Sequence, residues 1–276
     1  MLNPGTALKT RIKNGETLAG IFISELRTPN YGPLLDAAGC DFALFDLEHG
    51  PFSLPDFAGM FPGFRGSRCQ PMVRVPAVRR EFFQPLLDLG ARGIMVPMVE
   101  EPETVREAVS LMKYVPRGRR GIHFSTPHTL FQVVDRDAYI RAADNNILLA
   151  VQIETAKGLA NLDAILAEPG IDVAFVGNAD LAASLGLPNN LATGPVHDAT
   201  RRIWKTAQAR GIAGGGNFLN PEYATRFYGD GLRFITLDSE VGGLLAGLRG
   251  GMKTLCSGLP DDAKTANLTV ERATTC

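Results

Sequence analysis

The feature that most limits what this chain can fold into is an alternation of short, almost wholly apolar runs with segments of helical period. The runs are Gly20–Ser24, Phe42–Asp46, Pro71–Val75, Gly93–Pro97, Leu148–Ile153, Val173–Gly177, Ile212–Gly216 and Phe234–Leu237. Each is a few residues long and apolar at successive positions, as expected of strands buried on both faces of a parallel sheet. Ile212–Gly216 is the weakest strand, because its glycines give it little to pack. Between the runs, Val105, Ala108, Val109 and Met112 mark one helical face after Pro102, and Leu159, Leu162 and Leu166 mark another. Ser53 followed by Pro55 and Asp56 reads as a capped helix start. Eight such strands alternating with helices predict an α/β fold, a single-domain (β/α)8 TIM barrel over residues 1–256, with a loosely ordered polar tail over 257–276. A doubly wound open sheet is the alternative, but no Gly-rich dinucleotide fingerprint follows the first strand.

Composition narrows the function classes. The formal charge is −1 over 276 residues, without a long single-sign block. A nucleic acid or an anionic membrane surface is therefore not an expected partner, since either normally requires a concentrated basic face. Apolar runs such as Asn146–Ile153 are too short to cross a bilayer. Met1–Gly5 lacks the basic and apolar regions of a secretory leader, and Cys40, Cys69, Cys256 and Cys276 form no CxxC pair. Together these favour the cytoplasm.

A TIM barrel places its active site at the C-terminal ends of the strands. The second run ends in Asp46-Leu-Glu-His-Gly50, the third carries Arg74, the fifth ends in Gln152-Ile-Glu154 and the sixth leads into Gly177-Asn-Ala-Asp180. The polar residues that interrupt apolar strands therefore converge on one mouth. Glu154 and Asp180, with no cysteine or paired histidine nearby in sequence, make a hard oxygen site suited to a divalent cation such as Mg2+ or Mn2+. The bland alternative is a helix-start carboxylate and a turn residue. Arg74 in a central strand needs an anionic partner, which is either a salt bridge to Asp46 or Glu48 or a bound 2-oxo acid. His49 stands at a strand end where Asp46 or Glu48 could orient it for proton transfer. Free N–H groups at the Gly177–Asp180 turn can hold a carboxylate. His123, His128 and His197 receive no role.

The segments Phe45-Asp-Leu-Glu-His-Gly-Pro51, Pro71-Met-Val-Arg-Val-Pro76, Gly90–Val99, Val151-Gln-Ile-Glu-Thr155 and Val176–Gly186 resemble, in order, the HpcH/HpaI aldolase family. The resemblance runs from about Gly20 to about Gly250. It implies a metal-dependent (class II) pyruvate-type aldolase on a TIM barrel, with Mg2+, Mn2+ or Co2+ on Glu154 and Asp180. It further implies a homohexamer with helix exchange between subunits. Arg74 would stabilise the enolate, and His49, paired with Asp46, would move protons to and from the aldol hydroxyl. Gln152 and the turn residues Gly177, Asn178 and Ala179 would position the substrate. Two departures stand out. Asn178 and Ala182 replace the proline and serine of a common Gly-Pro-Ala-Asp-Leu-Ser turn, and His123-Phe-Ser-Thr-Pro-His128 replaces an Ala-Arg-Ala-like loop that lies near the mouth in the family.

The expected reaction is reversible cleavage of a 4-hydroxy-2-oxo acid to pyruvate, or a related 2-oxo acid, plus an aldehyde. Two alternatives use the same barrel. In one, the enolate condenses with an acyl-CoA, as in citrate synthase-like or citryl- and malyl-thioester relatives. In the other, the barrel binds a 2-oxo acid without turning it over.

Overall fold

In the computed structural model of the chain, residues 7–132, 135–188 and 192–260 are described. Eight parallel strands close into a barrel in sequence order: β1 (Leu18–Ile23), β2 (Phe42–Asp46), β3 (Gln70–Arg74), β4 (Gly93–Val96), β5 (Leu148–Ile153), β6 (Val173–Val176), β7 (Ala213–Asn217) and β8 (Leu232–Ser239). The (β/α)8 expectation holds, with strand ends shifted by one to two residues in most cases.

The two-residue strand period sorts every run into two faces. Phe42, Leu44, Met72, Leu148, Ala150, Val173, Phe175 and Phe234 fill the barrel interior, and Leu8 and Ile12 of the helix Leu8–Lys13 join that cluster. Ala43, Phe45, Val73, Ile94, Leu149, Val151, Ala174 and Val176 face the surrounding helices. This explains why the runs look apolar throughout.

Local differences have local causes. The glycines of β7 are required by what packs on them. A Cβ on Gly214 would stand 2.6 Å from Cδ1 of Trp204, and one on Gly215 would stand 2.8 Å from Phe175 and Val173. Trp204 Nε1 then donates to the Gly215 carbonyl at 2.9 Å, so the indole is fully buried with its N–H satisfied. The Leu159–Leu166 stripe is split into the helices Ala156–Ala160 and Leu162–Ala167. At the break, the Asn161 amide donates to the Glu100 carbonyl at 2.9 Å, tying the junction of the two helices to the loop before the helix Pro102–Met112. At the start of the helix Leu54–Met60, the N–H and Oγ of Ser53 both donate to Asp56 Oδ2 at 2.7 Å.

The last helix, Glu240–Gly258, runs past the expected end of the barrel, and residues 261–276, Cys276 among them, lie outside the described residues. Among the described residues no helix is long and apolar enough to cross a membrane.

Candidate active site

The inward face of each strand, followed to its C-terminal end, supplies the site. On β2 the inward positions Phe42 and Leu44 lead to Asp46; on β3 Met72 leads to Arg74; on β5 Leu148 and Ala150 lead to Gln152 and Glu154. Asp46 and Arg74 are register partners across β2 and β3. Their side chains meet in a two-pronged pair, Arg74 Nε to Asp46 Oδ1 at 3.0 Å and Nη2 to Oδ2 at 2.6 Å. Glu48 adds a second carboxylate at 3.2 Å from Arg74 Nε, and the Phe22 ring lies 5.0 Å beneath the guanidinium. Burial opposes the charge on Arg74, but hydrogen bonding and charge from Asp46, with Glu48 and Glu154 beyond, more than reverse this and raise its pKa.

Glu154 is 2 % exposed. Its Oε1 accepts the Met98 N–H at 2.8 Å and its Oε2 accepts from Gln152 Nε2. Burial pushes its pKa up to about 6, with the Met98 hydrogen bond opposing and the charge of Asp180 adding to the rise. A buried carboxylate facing further negative charge is suited to bind a cation. Gln152 Oε1 is buried and, among the described residues, has no hydrogen-bond partner, which leaves an oxygen acceptor beside Glu154. Gly177 presses against the same group, since a Cβ there would stand 2.0 Å from Glu154 Oε2. Asp180 is exposed on the first turn of the helix Asn178–Ser184. The residues therefore fit a divalent cation held by two protein carboxylates, with solvent or substrate completing its shell. Among the described residues no group of three or more His, Cys, Asp or Glu could hold a metal alone.

Asp46, Arg74, Gln152, Gly177, Asn178, Ala179 and Asp180 line one cavity of about 670 Å3. His49 departs from the expected pairing. Asp46 Oδ1 accepts the backbone N–H groups of Glu48 and His49, whereas the exposed His49 ring faces Glu48, Nε2 to Oε2 at 3.9 Å. The Arg74 fork occupies both Asp46 oxygens, and the imidazole instead faces Glu48 Oε2, an oxygen that Arg74 Nε also contacts. The Asn178 side chain is likewise committed, its Oδ1 accepting from Thr200 Oγ1 at 3.1 Å.

The loop at His123–His128 also departs from expectation. Gly121 exchanges hydrogen bonds with Gln84 on the outer helix Arg80–Leu89, and His128 Nδ1 lies 3.2 Å from the Asp88 carbonyl. None of these loop residues lines the cavity. Sequence reasoning missed the rim formed by Ser24, Asn217, Asp238 and Ser239. Extending the inward register of β1, β7 and β8 by one step reaches Ser24, Asn217 and Asp238. The Met98 N–H is a backbone group with no sequence signal.

A closed parallel barrel whose inward C-terminal layer carries a paired arginine and carboxylate beside a second buried carboxylate has the arrangement of a TIM-barrel site suited to stabilising an oxyanion. Comparison with known proteins makes the class specific. The HpcH/HpaI aldolase/citrate lyase family profile matches residues 24–245. A hydroxypyruvate/pyruvate aldolase of Delftia acidovorans is 34% identical over 239 residues, covering 86% of this chain and 88% of that protein. A 5-keto-4-deoxy-D-glucarate aldolase of Shigella dysenteriae is 35% identical over 221 residues, covering 79% and 85%. The crystal structure of an HpcH/HpaI aldolase from Desulfitobacterium hafniense superposes with a TM-score of 0.87 at 27% identity, covering 92% of this chain and 98% of that one. The chain belongs to the HpcH/HpaI aldolase/citrate lyase family, and it is a lyase of the aldolase type.

Proposed function

We propose that the protein reversibly cleaves a 4-hydroxy-2-oxo acid into pyruvate, or a closely related 2-oxo acid, and an aldehyde. The observation that carries this reading is the convergence on one cavity of the Arg74–Asp46 pair with Gln152 and Asp180, and with Glu154 buried directly behind Gln152 and Gly177. A divalent cation (Mg2+, Mn2+ or Co2+) held by Glu154 and Asp180 would supply the Lewis acid for the carboxylate and 2-oxo oxygens of the substrate.

The chain's own residues account for the rest. Asp46 holds the Arg74 guanidinium rigid through Nε and Nη2, leaving Nη1 to face the 2-oxo oxygen, where charge accumulates as the C3–C4 bond breaks. Gln152 and the Gly177–Ala179 turn orient the 2-oxo acid. His49, backed by Glu48, takes the proton of the C4 hydroxyl as the aldehyde forms, and the enolate takes up a proton from solvent at C3 to give pyruvate; both transfers run backwards in the addition.

Pyruvate release should cease in EDTA and return when Mg2+, Mn2+ or Co2+ is added back. Full activity in EDTA would sink the metal assignment. The fit of the aldol reading is better than that of acyl-CoA condensation, because the two curated relatives above carry aldolase names.

The assembly is proposed to be a homohexamer that exchanges its C-terminal helix. In support, the helix Glu240–Gly258 has no buried residue, and Leu244, Leu245, Leu248, Met252 and Leu255 are all exposed along it. Such a row requires a covering surface. Light scattering should give six subunits, and Leu248→Asp should shift the protein to smaller species; a monomeric wild type would refute the exchange. The cytoplasm is the proposed location, in keeping with unbridged thiols at Cys40 and Cys69.

A further inference from the structure

The reacting half of the mouth comes from β2, β3, β5 and β6. The opposite rim, from β7, β8 and β1, has no part in the mechanism above. On β8 the inward register passes from Phe234 in the barrel interior, through the fully buried Thr236, to Asp238 on the cavity wall.

Two features hold Asp238 in place. Its φ is 57°, in the left-handed region that few non-glycine residues enter and that aspartate tolerates better than most. Strain of this kind at a cavity wall is a pointer to function. Gly242, on the first turn of the helix Glu240–Gly258, lies flat against the side chain, since a Cβ there would stand 2.0 Å from Asp238 Oδ2. The neighbours do structural work instead. Ser239 Oγ accepts the Gly242 N–H at 3.1 Å, and the Glu240 carboxylate accepts the N–H groups of Ser24, Glu25 and Leu26. Among the described residues no hydrogen bond or ion pair reaches the Asp238 carboxylate.

Charge decides what this rim accepts. The charged side chains lining the cavity, among the described residues, are Asp46, Asp180, Asp238 and one cation, Arg74, which is already committed to Asp46. The rest of the opposite rim offers neutral groups. Asn217 is one, its Oδ1 accepting from Thr236 Oγ1 at 2.8 Å and its amide N–H groups available to a ligand.

We propose that Asp238 is a specificity-determining residue, which selects uncharged, hydroxylated aldehydes and rejects aldehydes that carry a carboxylate. This rests on the aldol reading above. A hydroxyl on the aldehyde donates to the Asp238 carboxylate in a charge-assisted hydrogen bond. A carboxylate in the same place meets a like charge, whereas Arg74, the one side-chain cation on the wall among the described residues, and the Glu154–Asp180 cation site both lie in the reacting half of the mouth.

The test uses two matched acceptors, glycolaldehyde and glyoxylate, which differ only in carrying CH2OH or a carboxylate beside the aldehyde. Each is added to pyruvate by the Mg2+-loaded enzyme, and kcat/KM is compared between wild type and Asp238→Asn, whose side chain also tolerates positive φ. The glyoxylate-to-glycolaldehyde ratio should rise about tenfold in the variant, as expected for loss of one like-charge contact near the surface. Added salt should raise the same ratio in the wild type and leave the variant's unchanged. If Asp238→Asn does not fold, Asp238→Gly, which relieves the positive φ, should give the same rise. An unchanged or lower ratio in a folded variant, or a wild-type ratio indifferent to salt, overturns the proposal. Exchange of pyruvate methyl protons with D2O needs no aldehyde and separates the two levels. Exchange with an unchanged ratio removes Asp238 alone, whereas neither exchange nor addition removes the aldol reading and this proposal with it.

Discussion

Arg74→Ala should abolish turnover and also lower stability, and the two losses should separate in a second variant. Arg74 and Asp46 are 8% and 4% exposed and joined by two hydrogen bonds. Removing one member of a buried pair strands the other charge, at a cost of about 3–5 kcal/mol. In a chain of this size each kcal/mol is worth roughly 2–4 °C in melting temperature, so Arg74→Ala should melt well below wild type. Removing both buried charges, as in Arg74→Met with Asp46→Asn, leaves only the less buried Glu48 without its cation and should recover a good part of that loss. Neither protein should turn over, because a lost oxyanion-stabilising donor costs about 100-fold or more in kcat. Arg74→Lys should melt close to wild type yet remain slow, because an ammonium keeps the charge but not the planar fork. Thermal melts and pyruvate release on the three proteins decide the matter. An active Arg74→Lys, or a double variant as unstable as Arg74→Ala, would contradict the assignment.

How far the site was legible in the sequence follows from the same pair. Arg74 and Asp46 are polar residues inside apolar strands, and strand period alone puts both in the top inward layer. Gln152 and Glu154 were legible for the same reason. What sequence could not supply was the allocation of partners. Asp46 stands near both Arg74 and His49, and only register shows that the guanidinium takes both its oxygens while the imidazole faces Glu48, which the guanidinium shares. The His123–His128 loop illustrates the opposite limit. Its composition is unusual, but its position depends on Gln84 and Asp88 of a helix some forty residues earlier, a long-range packing that no local pattern encodes. The fold was easier to read, because eight short apolar runs are set by burial on two faces. The glycine-rich β7 was hardest, since its strand exists to accommodate Trp204 and Phe175.

Glu154→Gln should produce a protein more stable than wild type without metal and less stable with it. The Glu154 pKa stands at about 6 against an ordinary value of 4.5, chiefly through burial. A raised carboxylate pKa means that ionisation disfavours the folded state. The penalty is absent below the ordinary value, grows as pH rises through the folded pKa, and is constant above it. At neutral pH it amounts to about 2 kcal/mol, from a shift of about 1.5 units at 1.36 kcal/mol each. Glutamine removes this penalty while its amide oxygen still accepts the Met98 N–H and its NH2 faces the unpartnered Gln152 Oε1 after rotation of the Gln152 amide. In EDTA at pH 7.5 the variant should therefore melt several degrees above wild type, and the gap should shrink below pH 6 and close near pH 4.5. Saturating Mn2+ should reverse the order, since only wild type gains the linkage stabilisation of a bound ion. A variant that melts below wild type in EDTA, or that gains as much from Mn2+, would show that Glu154 is held for structure rather than kept strained for a cation.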